Sequence, residues 1–237
     1  MITVDFEQVP LGAGCRVLDI GCGSGRHVAA ASRLADVFVT GADPRRADLE
    51  QCRQRMALEH RLETVNGRWA LAAADILALP FADGVFDLVI CAEVLEHIAD
   101  HRKAAAELSR VLKPGKTMVV SVPRYTPERI CWAFSEAYHR TSGGHVRIYR
   151  PGELCRLLES CGLRVRKRCY AHALHSPFWW LKCLCGPERE GFWPVALYHR
   201  LLVWDMMRKP RATRLLERLL NPILGKSKVV YLRKETT

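Results

Sequence analysis

The residues best placed to do chemistry are a run of closely spaced glycines, Gly21-Cys22-Gly23-Ser24-Gly25, with Asp19 just before it and Asp43 further on. Glycines let a backbone come close to a ligand, and a helix opening after them offers free N–H groups. Asp43, ending the next apolar run before Pro44, is placed to accept both hydroxyls of a ribose. The spacing is GxGxG. A dinucleotide fingerprint, GxGxxG, would need glycine where the chain has Arg26, so a nicotinamide or flavin enzyme is the lesser reading. Asp75-Ile76 and Glu93-Val94 follow apolar runs in the same manner as Asp43. Glu93, Glu96, His97 and His101 lie on one stretch and raise the idea of a metal site. Their order is not HExxH, so a capped, solvated helix start is preferred and no metal is expected.

These groups need a frame to hold them. Residues 16–20 (Arg-Val-Leu-Asp-Ile) read as a short buried strand broken by the glycines, and Arg26–Leu34 as a helix. Val37–Gly41 reads as a second strand, followed by a charged helix to about His60. A third strand ends near Asp75, and Phe86–Cys91 is a fourth, whose Asp87 serves the fold. Glu93–Leu112 has a helical pattern, Lys113-Pro114-Gly115 reads as a turn, and Thr117–Val122 as a fifth strand. Strands alternating with helices at this spacing predict an α/β, doubly wound parallel sheet covered on both faces. Beyond Pro123, Pro127–His139 reads as an aromatic-rich helix and Gly143-Gly144 as a hinge-like break. Pro151–Cys161 reads as a helix, and Leu163–Ala171 and Lys228–Arg233 as the last two strands.

Five segments, in order, resemble the class I S-adenosylmethionine-dependent methyltransferases, especially the ubiquinone- and menaquinone-biosynthesis branch. They are Val17-Leu-Asp-Ile-Gly-Cys-Gly-Ser-Gly25, Gly41-Ala-Asp43, Asp75-Ile76 with Leu79-Pro-Phe81, Phe86 through Glu93-Val-Leu-Glu-His97, and Leu112-Lys-Pro-Gly115. The resemblance covers residues 16–122. It implies a Rossmann-like, seven-stranded, mostly parallel sheet whose last strand is antiparallel, and S-adenosylmethionine as cofactor. It implies that Asp19 and the loop of Gly21, Cys22, Gly23 and Gly25 face the methionine end. Asp43, with Pro44 beside it, would hold the ribose, and Asp75 the adenine amine, with Ile76 packed on the ring. Glu93 and Val94 would line the cofactor near the sulfonium. It also implies His145, in Gly144-His-Val-Arg-Ile-Tyr149, as the general base, a structural histidine being the alternative and His97 and His139 the lesser candidates. The acidic trio of magnesium-dependent catechol methyltransferases is not seen.

The 237 residues suit one α/β domain, so 1–237 is expected to be a single methyltransferase domain. Ten scattered cysteines without a CxxC pair, no signal-peptide pattern and no long apolar run predict a cytoplasmic protein with reduced thiols. The net charge is +11; residues 1–144 hold 17 basic and 18 acidic side chains, residues 145–237 hold 19 and 7. The excess therefore sits in the C-terminal part and predicts an anionic contact, with a peripheral membrane surface the favoured form.

About fifteen residues precede the first strand, where relatives carry helices that close over the site. Residues 175–226 are expected to form a helical cap between the last two strands in their place. The Trp179-Trp180 pair, the stripe of Leu197, Leu201 and Trp204, and that of Leu215, Leu216, Leu219 and Leu220 would be buried over an apolar acceptor pocket, arginines outward. The expected activity is methyl transfer to a small or lipid-like acceptor, at oxygen or alternatively carbon or nitrogen. RNA methylation by the basic C-terminal half is the alternative. The fourth strand ends in Cys91-Ala-Glu-Val rather than an Asn/Asp-Pro-Pro-aromatic motif, so no nucleic acid partner is expected. A scaffold that only binds a partner is a second alternative, disfavoured because every cofactor position is filled. No motif encodes the acceptor's identity or the oligomeric state.

Overall fold

The computed structural model describes residues 2–139, 144–186, 192–208 and 210–236. Five parallel strands, β1 (Arg16–Ile20), β2 (Phe38–Asp43), β3 (Arg68–Ala73), β4 (Phe86–Ala92) and β5 (Leu112–Pro123), are followed by β6 (Leu163–Ala171) and β7 (Ser227–Lys234). The order across the sheet is β3-β2-β1-β4-β5-β7-β6, with β7 antiparallel to both neighbours. Two helices, α1 (Arg26–Ser32) and α2 (Arg46–Arg61), cover one face, and α3 (His101–Val111) and α6 (Glu153–Glu159) the other. Successive strand residues point to opposite faces, and both faces are buried, so β1 and β4 are apolar almost throughout. Leu18, Val89 and Val120 meet α3 and α6, whereas Val17, Leu88 and Val119 meet α1 and α2. The strand order reverses between β1 and β4, and open α/β sheets bind ligands at the carboxyl ends of such neighbours.

Asp87 is a tether. It accepts from the Arg16 N–H at 3.1 Å and pairs with Lys113 at 2.8 Å and Lys116 at 3.1 Å. Burial pushes its carboxyl up, but these partners outweigh that and hold it below the usual carboxylate range.

Three local expectations are corrected. Residues 93–112 are not one helix: a single 3-10 turn at Leu95–His97 comes first, and Asp100 then caps α3 by accepting the Lys103 N–H at 3.0 Å. Lys113-Pro114-Gly115 lies inside β5 rather than in a turn. There the Arg233 Nε donates to the Gly115 carbonyl at 2.8 Å, and the pairing with β4 shifts register between Phe86 and Leu88. The helical stretch after Pro123 is split at Ser135 into α4 (Tyr125–Phe134) and α5 (Glu136–His139). Gly143, half of the expected hinge, lies outside the described residues, as does the side chain of His139.

Between β6 and β7 lie α7 (His175–Cys185), α8 (Trp193–Arg208) and α9 (Arg211–Leu224). Trp180 ties α7 to α4 by donating its Nε1–H to the Pro127 carbonyl at 3.0 Å. Phe178, Val195 and Leu202 form a small core where α7 meets α8. The expected burial of the leucine stripes does not occur: Leu197, Leu201 and Trp204 on α8, and Leu215, Leu216 and Leu219 on α9, are all exposed. The reason is which faces turn inward. α8 buries its Val195, Leu202 and Asp205 face instead. α9 has no buried residue and is held by polar contacts, such as Asn221 Oδ1 accepting the Ala173 N–H at 3.0 Å.

Candidate active site

After β1 the chain folds back sharply, because the N–H groups of both Gly21 and Cys22 donate to the Ala42 carbonyl, at 2.7 and 3.1 Å. Gly21 has φ +68°, and a Cβ there would lie well inside the van der Waals contact distance of Val94 Cγ2. Only glycine fits this bend. Gly23, at φ +49°, has open space where its Cβ would be, which leaves a face for a ligand to approach. Its N–H donates to Asp43 Oδ2 at 3.0 Å, and Asp43 Oδ1 accepts the Arg45 N–H at 2.9 Å. Asp43 is thereby fixed at the end of β2 with Pro44 exposed beside it, and Gly25 caps α1. Cys22 turns the other way: its side chain packs with Val28 and Cys52, and its carbonyl accepts the Gly25 N–H at 2.8 Å. The bond to Cys52, with burial, pushes its thiol up. Cys22 shapes the loop from behind.

Asp19 is 1% exposed, and its Oδ2 has no hydrogen-bond partner among the described residues. Burial drives its carboxyl well above the usual range. His27 Nδ1 lies 3.9 Å from Asp19 Oδ1, while His27 Nε2 accepts the Thr3 N–H at 3.1 Å. Burial lowers the His27 imidazole to about 4. Thr3 belongs to an N-terminal strip with Val4 and Val9 buried, which the sequence reading did not place at the site. Thr3 Oγ1 also lies 3.4 Å from Ser121 Oγ, and the Ser121 hydroxyl donates to Glu93 Oε1 at 2.9 Å. Glu93 takes φ +57°, a left-handed conformation costing a non-glycine residue roughly 1–2 kcal/mol. Its N–H donates to the Ser121 carbonyl at 2.9 Å, which holds the strained residue directly after β4. Asp75, just past β3, is exposed and caps its own turn by accepting the Leu77 N–H at 2.9 Å, while Ile76 joins the core beside Ala42. The structure thus brings Asp19 and the glycine loop, Asp43, Asp75, and Glu93 with Val94 to the same carboxyl edge of β1–β4.

A strap of residues 144–149 lies across the turn after β4. The Val146 N–H donates to the Glu96 carbonyl at 2.9 Å, and Arg147 donates to the carbonyls of Ile98 and of Ala99, the latter at 2.8 Å. The strap presents His145, whose Nδ1 is 2.6 Å from Glu128 Oε1 on α4. Glu128 is buried; burial pushes its carboxyl up, but His145, Lys226 and Tyr138 outweigh that and hold it below the usual range. The sequence reading missed Glu128. Its only signal was a single acidic residue within an aromatic helix.

The expectation of no metal meets a cluster able to hold one. Glu96 is 0% exposed, and neither carboxyl oxygen has a hydrogen-bond partner among the described residues. Burial, then Glu93, drives its carboxyl well up. One ligand atom each of Glu96, His97 and His145 lies within 4.8 Å of the others. His101 is elsewhere, its Nδ1 2.8 Å from the Tyr149 hydroxyl.

A family profile for a methyltransferase domain matches residues 18–120. The ubiquinone biosynthesis O-methyltransferase of Marinobacter nauticus is 33% identical over 169 residues, 68% of each chain. The chain belongs to the class I S-adenosylmethionine-dependent methyltransferases. S-adenosylmethionine is accordingly the cofactor, and the nicotinamide and flavin readings of the glycine loop fall away. Methyltransferase GfsG of Streptomyces halstedii is 33% identical over 135 residues, 56% of this chain and 47% of GfsG, so this methyltransferase spans about half that relative's length. Among solved structures, an S-adenosylmethionine-dependent methyltransferase from Aquifex aeolicus superposes with a TM-score of 0.55 at 16% identity, covering 96% of this chain and 86% of that one. The [4+2]-cyclase SpnF does so at 0.60 and 18%, covering 98% and 79%. Likeness at that identity establishes the seven-stranded fold, and a cyclase among the neighbours shows that the fold alone does not dictate the reaction. The residues present suit the cofactor: Asp19 has an unpartnered buried oxygen, and the space at Gly23 is open.

Proposed function

We propose that this methyltransferase methylates a hydroxyl of a small, apolar, lipid-like acceptor that it meets at a membrane surface. The observation that carries the reaction is the His145–Glu128 pair, a buried carboxylate hydrogen-bonded to an imidazole beside the glycine loop's edge of the sheet. When bound, S-adenosylmethionine supplies an electrophilic methyl group on a sulfonium, leaving the chain to align, exclude water and accept a proton. Asp19 and the backbone of the Gly21–Gly25 loop, open at Gly23, face the methionine end in this reading, with Cys22 shaping the loop. Asp43 binds the ribose with the lone pairs not used by Gly23 and Arg45, and Pro44 turns the chain away. Asp75 takes the adenine amine, Ile76 backs the ring, and Glu93 and Val94 wall the reacting centre. Glu128 holds the Nδ1–H of His145, so Nε2 receives the acceptor's proton and the carboxylate stabilises the imidazolium.

The partnerless oxygens of Glu96 favour a second reading of the same spot. A divalent cation held by Glu96, His97 and His145 would lower the acceptor hydroxyl's pKa, in place of a general base. Turnover abolished by a chelator and restored by a divalent ion would select it.

The faces of α8 and α9 support this acceptor class. Leu201, Trp204, Leu216 and Leu219 are exposed on the helices that carry Arg200, Arg208, Arg211, Arg214 and Arg218. Apolar and cationic side chains together complement an anionic bilayer interface, whereas RNA would leave the leucines in water. No helix among the described residues is long and apolar enough to cross a membrane, so the contact is peripheral in this reading. The test is transfer of labelled methyl to phenol, quinol and isoprenoid acceptors, with and without anionic vesicles. Asp43→Ala is expected to weaken cofactor binding by about 2–3 kcal/mol and to cut that transfer. Labelling of RNA but of no apolar acceptor would overturn the proposal.

A further inference from the structure

Where β6 gives way to α7, titratable side chains from four places in the chain converge. His172 follows β6, His175 opens α7, Asp205 lies on α8 and Glu217 on α9. One ligand atom each of His172, His175 and Glu217 lies within 4.8 Å of the others, and His172 Nδ1 is 4.0 Å from Glu217 Oε1. The two imidazole rings stand at 77° with centroids 5.6 Å apart. His175 is 8% exposed and Asp205 7%. Neither His175 Nδ1, nor His172 Nε2, nor Asp205 Oδ1 has a hydrogen-bond partner among the described residues. A buried polar group left unpaired is destabilising, so three in one junction need a common explanation. His172 also takes φ +64°, a backbone strain of the sort held at ligand sites.

The chemistry of the group is that of a metal ligand set. His172 Nε2 and His175 Nδ1 are ring nitrogens that no group among the described residues engages, and the Glu217 carboxylate lies within reach of both rings. We propose that His172, His175 and Glu217 bind one zinc ion, with Asp205 beside them balancing its charge. Two imidazoles and a carboxylate suit zinc, whereas magnesium and calcium prefer all-oxygen shells. Zinc ligands stand about 2.0–2.1 Å from the metal, so the three side chains draw together when the ion binds. The ion pins α9 to the end of the sheet by its polar face. That adds to the polar contacts, such as Asn221 with the Ala173 N–H, that hold a helix without a buried residue. The inference does not rest on methyl transfer or on the Glu96 cluster.

The test is metal analysis of the full chain, purified without an affinity tag. About one zinc per chain is expected, lost in His175→Ala and in Glu217→Gln but retained in His145→Ala, which separates this site from the one at Glu96. Chelation should lower Tm by several degrees, with zinc but not magnesium restoring it. Cobalt substitution in the unmutated chain should give a tetrahedral absorption spectrum, a readout that survives if a variant fails to fold. Zinc content unaltered by His175→Ala and Glu217→Gln, or a chain that takes up neither zinc nor cobalt, overturns the proposal.

Discussion

Around the Gly21–Gly25 loop, packing and hydrogen bonds leave little unassigned: Val94 presses on Gly21, Cys52 on Cys22, and Asp43 grips Gly23. Around α8 and α9 the opposite holds, with leucines in water and, among the described residues, one ring nitrogen each of His172 and His175 without a hydrogen-bond partner. A ligand site must be shaped before its ligand arrives, so close packing marks the first region. The second leaves apolar side chains outside the chain's own core. Substitutions should therefore behave oppositely in the two regions, severe in fold and binding at the loop, silent in fold but not in association at the helices.

The largest effect is expected at Gly21→Ala. The clash with Val94 and the positive φ together should cost about 2–5 kcal/mol in chemical denaturation and abolish calorimetric binding of S-adenosylmethionine. Unchanged affinity would show that the loop is not the cofactor site. Next, His145→Ala should leave cofactor affinity intact while slowing turnover roughly a hundredfold, the scale of a lost general base. Turnover equal to the parent's would return His145 to a structural role.

His27 gives a smaller effect that depends on pH. Its folded value, about 4, lies below the ordinary 6.5 because the ring is buried. Below pH 6.5 the unfolded chain takes up a proton that the folded chain refuses. The stability present in full above pH 6.5 therefore falls as pH drops toward 4, by roughly 2 kcal/mol at pH 5. Urea denaturation of His27→Gln at pH 7.5 and 5 should show a shallower loss, and an equal loss would mean the ring is not shielded. The smallest change in stability is expected for the double variant Leu216→Glu and Leu219→Glu. Both side chains are exposed, so Tm should stay within a degree or two while co-sedimentation with anionic vesicles is lost. Retained sedimentation would separate the helices from the membrane.

The frame was largely legible because its signals are local. Arg16–Ile20 and Leu163–Ala171 are strands with the bounds that their apolar runs and glycine stops imply. The stretch after β4 misled, because Glu93 sits at a positive φ that only its bonds to Ser121 sustain, and no neighbour in sequence reveals that. Glu128 was invisible for a related reason: its meaning comes from His145, seventeen positions away and brought to it by a folded strap. The leucine stripes of α8 and α9 were correctly periodic. Periodicity reports that a face is apolar, not what covers it, and here the covering face is the other one.

The register of the last two strands has a consequence of its own. Ala171 pairs directly with Ser227, so the three helices between them leave and re-enter the sheet at adjacent rungs of one ladder. In topological terms the whole excursion is a β-hairpin loop grown long. Lengthening a loop raises its closure entropy only logarithmically, so such a piece can be enlarged, trimmed or exchanged while the ladder beneath keeps its alignment. The three helices thus hang from one rung of the sheet, with added ties such as Trp180 to the Pro127 carbonyl, and a change of their length leaves the pairing that holds Gly21 and Asp43 in place.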